Sequence, residues 1–264
     1  MGYFDRKEEL KKQAKKHTEY VRRNFAAETA EAVMRTKVYG NDFKKELEEG
    51  CCHAEIIVDG LDSAKSLFEH KCGKTAVLNF ASYKNPGGKF IEGSSAQEES
   101  LCHASNLYNI LETFQDYYEW NKKHNNRALY TNRALYSEDV LFFDDSVCVY
   151  GVEAKQVKAD VITCAAPNFS AASKYAGVSK EDNDKVLMER IRFVLDVAED
   201  NHVETLILGA FGCGVFGQDA DTVAKCFQEC LKDGYNFKKV YFSILTTPMR
   251  KENFHKFEKI LQKK

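Results

Sequence analysis

The sequence lacks several features that would assign the chain to a large class of proteins. It has no marked excess of charge of either sign, because 38 Lys and Arg face 40 Asp and Glu, for a formal net charge of -2. Such a chain has no overall attraction to nucleic-acid phosphates. No apolar run approaches the ~18 residues of a membrane span, and residues 1–7 lack the apolar stretch of a signal peptide. We therefore expect a cytoplasmic protein that does not enter a membrane.

Patterns typical of disulfides and metal sites are also missing. The nine cysteines are an odd number and none forms a CxxC pair, which argues against a disulfide framework and a zinc site. The seven histidines show no HxH or HExxH spacing. The sequence thus predicts reduced thiols and a function that needs no metal or other cofactor.

Apolar residues are plentiful, at 44% of 264 residues, and predict one domain over 1–264. Short apolar runs that alternate with amphipathic stretches are typical of a three-layer α/β/α domain. Strands are predicted at 56–58, 75–80, 161–163, 205–208 and 240–245, and helices at 96–112, 183–201, 219–233 and 251–263. The helical recurrence of apolar residues in 5–35 predicts an N-terminal helical extension, residues 1–50, packed on this domain.

Proline is scarce, and each one follows closely on a predicted strand: Pro86, Pro167 and Pro248. Ligands of open α/β sheets bind outside the carboxyl ends of the strands, so these turns predict the functional edge, although prolines are also ordinary in such loops. Near the first proline, Gly87 and Gly88 would let the backbone approach a ligand closely. Asn79 and Asn85 in the same motif can hydrogen-bond sugar hydroxyls.

Two adjacent glutamates, Glu98 and Glu99, follow this turn and admit two interpretations. Ser95 and Glu98 have the spacing of a capping box, and acidic residues in a first helical turn complement the helix dipole. The same dipole would lower a carboxyl pKa, which opposes use as a general acid at neutral pH. A catalytic Glu99 therefore needs burial or substrate contact to raise its pKa. By spacing alone, capping is favoured.

A second motif, Gly209–Gly217, lies between a predicted strand and a predicted helix. Its successive backbone N–H groups can form a nest for an anion such as a diphosphate. Gly212, Gly214 and Gly217 also spell the GxGxxG of dinucleotide-binding proteins, but the next strand ends in Thr246 and Thr247 instead of the acidic residue which that fingerprint requires. A purely structural turn remains the third interpretation.

Two side chains of this motif have alternatives of their own. Phe216 is either a core residue or an aromatic that packs on a bound ribose. Cys213 lies in the nest and could act as a nucleophile, but no histidine is near it in the sequence, so we do not expect that role.

Taken together, these segments resemble the microbial poly(ADP-ribose) glycohydrolases, a branch of the macrodomain fold. The matching stretches occur in the family's order and spacing over most of the chain, at 77–82, 85–88, 96–101, 160–168 and 208–217. The resemblance implies a macrodomain-like α/β/α fold with a mixed central sheet. It also reverses the capping interpretation of Glu98 and Glu99, because Gln-Glu-Glu is the family's catalytic signature.

The resemblance implies hydrolysis of an O-glycosidic bond at the distal ribose of ADP-ribose, without a metal. Glu99 would protonate the departing oxygen and then take a proton from the attacking water, while Glu98 would position the ribose hydroxyls. The glycine loop would hold the diphosphate, Phe216 would pack on the distal ribose, and the loop after 240–245 would help enclose the adenine. The expected substrate contacts are Asn79, Ala81, Ser82, Asn85, Gly87, Gly88, Lys89, Gln97, Gly209, Gly212, Cys213, Gly214, Val215, Phe216, Gly217 and Thr246.

Poly(ADP-ribose), another ADP-ribosylated macromolecule and free ADP-ribose are the expected partners, and a monomer is the expected state. The alternative function is an ADP-ribose-binding reader with little or no turnover. The sequence departs from the family at Lys89, where a third glycine is usual, and at His103, where relatives often carry arginine. Lys89 either crowds the terminal ribose or pairs with a substrate phosphate. We predict crowding, because a flexible lysine can place its ammonium in water.

Overall fold

A computed structural model of the chain describes residues 3–46, 54–143, 155–248 and 251–262. Its centre is a seven-stranded sheet with the order β1-β4-β5-β3-β6-β7-β2. Neighbouring strands from β5 to β2 run parallel, whereas β4 and β1 at the other edge are antiparallel to their neighbours. The strands are β1 Lys37–Tyr39, β2 Glu55–Asp59, β3 Thr75–Phe80, β4 Ala134–Phe143, β5 Gln156–Cys164, β6 Thr205–Leu208 and β7 Lys239–Ser243.

Helices cover both faces of this sheet. They are α1 Tyr3–Asn24, α2 Ala26–Arg35, α3 Ser63–His70, α4 Gln97–His103, α5 Leu107–Leu111, α6 Gln115–Lys123, α7 Phe169–Ala176, α8 Lys180–Asp200, α9 Ala220–Cys230 and α10 Glu252–Leu261. Alternate residues of a strand point to opposite faces, so Leu78 packs in the core under α8, α9 and α10, while Val77 packs in the core under α3, α4 and α5. The predicted three-layer arrangement with a mixed sheet is confirmed.

The five predicted strands correspond to β2, β3, β5, β6 and β7. The apolar runs of the four inner strands are buried on both faces, whereas Ile56 and Ile57 of the edge strand β2 are only partly buried. The predicted helix over 96–112 is wrong as one element, because the chain leaves the helix after His103 and Ser105 forms an isolated bridge with Phe142 before α5 begins. Among the described residues, no helix is both long and apolar enough to cross a bilayer.

The N-terminal region contributes to the sheet as well as to its cover. Residues 5–35 form α1 and α2, as predicted, but β1 follows them directly and pairs with β4, so the description of this region as purely helical is wrong. The buried ring of His17, on α1, lies with Nε2 2.8 Å from the carbonyl oxygen of Ser105. Helix α1 is thereby attached to the segment that links α4 and α5. The end of the predicted extension, residues 47–50, falls outside the described residues.

Candidate active site

A cleft of about 710 Å³ opens beyond the carboxyl ends of β3 and β6, at the edge of the sheet that the sequence predicts to be functional. Most of the predicted site residues line it: Ala81, Ser82, Asn85, Gly88, Lys89, Gln97, Glu98, Glu99, Gly212, Gly214, Val215 and Phe216. The remaining predicted residues are not part of this lining: Asn79, Gly87, Gly209, Cys213, Gly217 and Thr246. The two motifs, far apart in the sequence, therefore face one another across a single cavity.

The first turn of α4 presents Glu99 to the cleft. Its Oε2 accepts a hydrogen bond from the backbone N–H of Ala96 at 2.9 Å, and its Oε1 accepts one from the N–H of Lys89 at 2.9 Å. The predicted capping pair of Ser95 and Glu98 is wrong by one residue, because the helix begins one position later, with Ala96 as its N-cap. Each carboxylate oxygen retains a second lone pair for a ligand. Capping and contact with a substrate are thus compatible in the same side chain.

Glu98 is buried beside Glu99, with only 3% of its surface exposed. Its Oε2 accepts from the N–H of Ser82 at 2.7 Å, and its Oε1 accepts from Nδ2 of Asn79 at 3.3 Å. Burial raises the pKa of Glu98 to about 8, against the opposing effect of these hydrogen bonds. The expectation that the helix dipole would lower a carboxyl pKa here is therefore wrong for Glu98, where desolvation is the larger effect.

If the cleft binds ADP-ribose, as the resemblance implies, the pKa of Glu98 predicts that the affinity for ADP-ribose rises with pH. Ribose hydroxyls that donate to Glu98 select its ionised form, so below the pKa of about 8 binding must release a proton. We expect affinity to rise by up to about tenfold per pH unit below that value and to level off above it. Calorimetric titration from about pH 6 to 9 measures this, with Glu98→Gln as the variant whose affinity should not depend on pH. A parent protein with constant affinity over this range would contradict the role of Glu98.

Gly88 allows both glutamates to approach the turn after β3. It has a φ of +61°, and a Cβ built on it would lie 2.6 Å from Oε1 of Glu99 and 2.8 Å from Oε2 of Glu98. Gly87 also has a positive φ, and its missing Cβ would lie 2.7 Å from the ring of Tyr108. Lys89 does not share this conformation and its side chain is exposed, so the backbone there accepts a residue other than glycine.

Two predicted substrate contacts are engaged with the protein itself. The Gln97 amide accepts from the N–H of Phe80 at 2.9 Å and donates to the carbonyl of Leu78 at 2.9 Å, which ties the start of α4 to β3. Asn79 is fully buried, and its Nδ2 is shared between Glu98 and Thr163. Gln97 thus fixes the first turn of α4, which carries the two glutamates, and Asn79 bonds to Glu98 from the protein interior.

The second motif forms the opposite wall. Gly212 and Gly217 have positive φ angles, whereas Gly214 does not, and a Cβ on Gly214 would meet no atom within 4 Å. The bonds from Gly217 N–H to the Gly214 carbonyl and from Gln218 N–H to the Gly212 carbonyl close the turn. Within the described part of the chain, the successive N–H groups of residues 214–216 donate to no protein acceptor. Successive N–H groups without a protein acceptor are what an anion nest requires, and the nest itself stays a prediction.

An aromatic wall that the sequence analysis missed supports Phe216. Tyr130 lies edge-on to Phe216, with ring centroids 6.1 Å apart, and stacks on Tyr83 at 4.1 Å. Tyr83 stands inside the first motif, so its position was a usable signal. Tyr130 lies in the polar segment 121–132, for which the sequence indicates only a surface loop.

The segment that carries Tyr130 has an unusual backbone. Positive φ angles occur at Asn126, Arg127, Ala128 and Tyr130. Left-handed conformations cost non-glycine residues roughly 1–2 kcal/mol each. The fully buried Arg190 donates to the carbonyl of Leu129 at 3.3 Å and also to the carbonyl of Ala165. The strained segment is thereby fixed against the end of β5.

Comparison with known proteins gives the family. The sequence model of the microbial-type PARG catalytic domain, where PARG is poly(ADP-ribose) glycohydrolase, matches residues 7–145, just over half of the chain. The chain belongs to this family. Its structure is similar to that of the PARG from Thermomonospora curvata, with a TM-score of 0.85 and 26% identity over 96% of this chain and 100% of that chain.

Two further PARG structures are similar to this one. The Thermomonospora curvata PARG bound to the inhibitor ADP-HPD has a TM-score of 0.81 and 27% identity, covering 96% of this chain and 99% of that one. The Deinococcus radiodurans PARG in complex with ADP-ribose has a TM-score of 0.77 and 31% identity, covering 89% and 97%. A comparison with curated protein sequences found no match.

Membership in the PARG family confirms the predicted family, its macrodomain-like fold and a glycohydrolase activity. The dinucleotide-dependent dehydrogenase suggested by GxGxxG has no support in these comparisons. Burial raises the pKa of Cys213 to about 12, so its thiol stays protonated and does not resemble an activated nucleophile. Thr246 bonds through its N–H to the Gly60 carbonyl at 3.1 Å, and its predicted contact with adenine stays a prediction.

Proposed function

We propose that the cleft of this PARG domain binds the terminal ADP-ribose unit of poly(ADP-ribose). The diphosphate would lie on the N–H groups of residues 214–216, and the distal ribose between Phe216 and the paired glutamates. The observation that carries this proposal is that the nest and both buried glutamates line one cavity. The similar structures described as bound to ADP-HPD and to ADP-ribose support the same ligand class.

In the proposed reaction, Glu99 acts twice. As the bond between the distal C1 and the bridging oxygen breaks, Glu99 gives its proton to that oxygen, and an oxocarbenium-like sugar forms. Water then adds to C1 and gives a proton back to Glu99, which regenerates the acid. Because Glu98 and Glu99 are adjacent and converge on Gly88, they do not flank the bond as the two carboxylates of ordinary glycosidases do. Glu98 instead accepts hydrogen bonds from the ribose hydroxyls.

The ADP-ribose reader is the alternative that a direct assay separates from the enzyme. Purified protein is incubated with poly(ADP-ribose) and, separately, with a mono-ADP-ribosylated protein, and released ADP-ribose is measured over time. Release from the polymer is the expected result. Saturable binding of ADP-ribose without release from either substrate would replace the enzyme with the reader.

The nest predicts the effect of Gly214→Val. Since Gly214 lines the cleft without a positive φ and without a neighbour near its missing Cβ, the variant should fold normally and project its side chain into open space. The variant therefore tests contact with the ligand and not backbone strain, because Gly214 does not have a left-handed conformation. We expect ADP-ribose affinity to fall by tenfold or more, roughly the value of one or two lost hydrogen bonds to a charged group. Calorimetry measures it.

The matched control for this variant is Gly214→Ala, which places a smaller side chain at the same point. It should lower affinity less than valine does, while thermal unfolding of both variants stays close to that of the parent. Equal affinity of all three proteins would leave the loop as a structural turn only.

The domain boundaries and the location of the protein are part of the proposal. One catalytic domain over residues 1–264 is supported by α2, which packs along β4, and by β1, which joins the sheet. A cytoplasmic location is supported by the cysteines of the described segments, which are free thiols: Cys72, Cys102, Cys164, Cys213, Cys226 and Cys230. The monomeric state stays a prediction.

A further inference from the structure

One end of the cleft, beyond Glu99, is formed by parts of the chain that the two motifs do not include. The segment that follows Gly88 lines this end, and α1 supplies a further residue, Lys7. Glu99 is bonded directly to this segment through the N–H of Lys89. The glycine loop supplies other lining residues of the same cleft, whereas the segment of Lys89 is the one bonded to Glu99.

Helix α1 is held closely against this segment. Gly93 has a φ of +80°, and a Cβ on it would collide with the carbonyl oxygen of Lys7 and lie 3.0 Å from the backbone nitrogen of Lys11. The ring of His17, two to three turns along α1, lies edge-on to Phe90 at 6.0 Å. Lys7 is therefore placed at the cleft by direct helix packing and not by a loose terminus.

The exposed cations at this end are available to a ligand. Lys7, Lys84 and Lys89 all line the cleft with exposed side chains. None of the three makes an ion pair with another residue in the described segments. Glu92 is the exposed acidic residue of the same lining. Apart from the buried Glu98 and Glu99, the described lining of the cleft therefore contains more lysines than acidic residues.

The direction of the reaction determines which part of the substrate lies at the end of the cleft that carries Lys7 and Lys89. If the diphosphate of the terminal unit lies on the nest and Glu99 protonates the departing oxygen, the departing group leaves on the side of Glu99 away from the nest. The segment bonded to Glu99, which carries Lys89 and packs against the backbone of Lys7, is the candidate for that side. When the substrate is poly(ADP-ribose), the departing group is another ADP-ribose unit, whose diphosphate carries two negative charges. A departing protein side chain carries no phosphate.

We propose that this end is a leaving-group subsite in which Lys7 and Lys89 bind the diphosphate of the next ADP-ribose unit. The inference rests on the proposed function and assigns two residues to the departing side of its polymer substrate. It also replaces our prediction that Lys89 crowds the ribose, because the Lys89 side chain is exposed and its backbone does not have the left-handed conformation of Gly87 and Gly88. Lysine binds phosphate as a point charge and does not require bidentate geometry.

The test compares two substrates that differ only on the departing side. One is poly(ADP-ribose), and the other is ADP-ribose joined at the distal C1 to a neutral aryl alcohol. Lys7→Gln and Lys89→Gln should each lower kcat/KM on the polymer about twofold to fivefold at low salt, and the double variant about tenfold. All of them should match the parent on the aryl substrate. The difference on the polymer should shrink as salt is raised, since exposed charges are screened.

Lys12→Gln is the matched control, because Lys12 is exposed on the same helix and does not line the cleft. It should match the parent on both substrates. Equal losses on the two substrates, or no loss on the polymer, would overturn the subsite while leaving the hydrolase intact. A Lys89→Gly variant faster than the parent on the polymer would overturn it in favour of crowding. A parent that releases ADP-ribose from neither substrate would reject the proposed function and the subsite together.

Discussion

Replacing Glu99 with glutamine is expected to lower the release of ADP-ribose from poly(ADP-ribose) by ~10²–10⁴-fold, the usual worth of a general acid and base. The amide keeps the shape of the side chain but cannot give a proton to the departing oxygen or take one from water. Affinity for ADP-ribose should change little, because the nest and Glu98 are untouched. Single-turnover rates and calorimetric titration of the same preparations separate the two quantities.

The Glu99→Gln variant is also expected to be less stable than the parent, so its free energy of unfolding must be measured separately. The two oxygens of Glu99 accept backbone N–H bonds from Lys89 and from Ala96. In glutamine one of these oxygens becomes an NH2 group, which cannot accept a hydrogen bond, so one of the two bonds is lost. We therefore expect a loss on the order of 1–3 kcal/mol in the free energy of unfolding, which denaturant titration reports. A protein that is less stable yet fully folded at the assay temperature still tests the chemistry.

Glu92→Gln provides the matched control for charge. Glu92 lines the same cleft and loses the same single negative charge, but its side chain is exposed and lies outside the paired glutamates. It should retain parental turnover. If Glu99→Gln also retained turnover, another group would have to move the proton and the mechanism would be wrong.

The central strands could be predicted because burial on both faces leaves an unbroken apolar run. Thr75–Phe80 and Thr205–Leu208 show this pattern, and the predicted bounds of both strands coincide with the observed ones. β4 was missed because it stands near the sheet edge, with polar residues and a register shift between Ser137 and Val140 that break the pattern. β1 was missed because three residues are too few to show a period.

The residues of the candidate site also fall into those that the sequence could identify and those that required the structure. The glycine loop stands out as a local motif, whereas the catalytic role predicted for Glu98 and Glu99 came from the resemblance to the family, because their spacing alone favours capping. Tyr130 could not be found, because its position depends on the buried Arg190 and on a backbone conformation that its residue type disfavours. The positioning roles of Asn79 and Gln97 also required coordinates, since only these show that their amides bond to the protein.

Gly88→Ala is expected to lower kcat/KM by at least about 10²-fold, the scale of a displacement of about 1 Å in a reacting group. Its Cβ would lie 2.6 Å from Oε1 of Glu99 and 2.8 Å from Oε2 of Glu98, so both carboxyl groups would have to move. Movement of Glu99 lowers kcat, and movement of Glu98 away from the N–H of Ser82 weakens the hold on ribose and raises KM. Steady-state kinetics on poly(ADP-ribose) measures both parameters.

Gly177→Ala distinguishes this collision from ordinary backbone strain. Gly177, at the end of α7, has the same φ of +61°, but a Cβ there meets nothing within 4 Å. Both variants carry the cost of alanine in a left-handed conformation, about 1–2 kcal/mol. Only Gly88→Ala should lose activity, because only its new carbon meets the glutamates. Equal activity of the two variants, at equal losses of stability, would mean that the glutamates yield to the added carbon and that their tight approach to Gly88 does not set the rate.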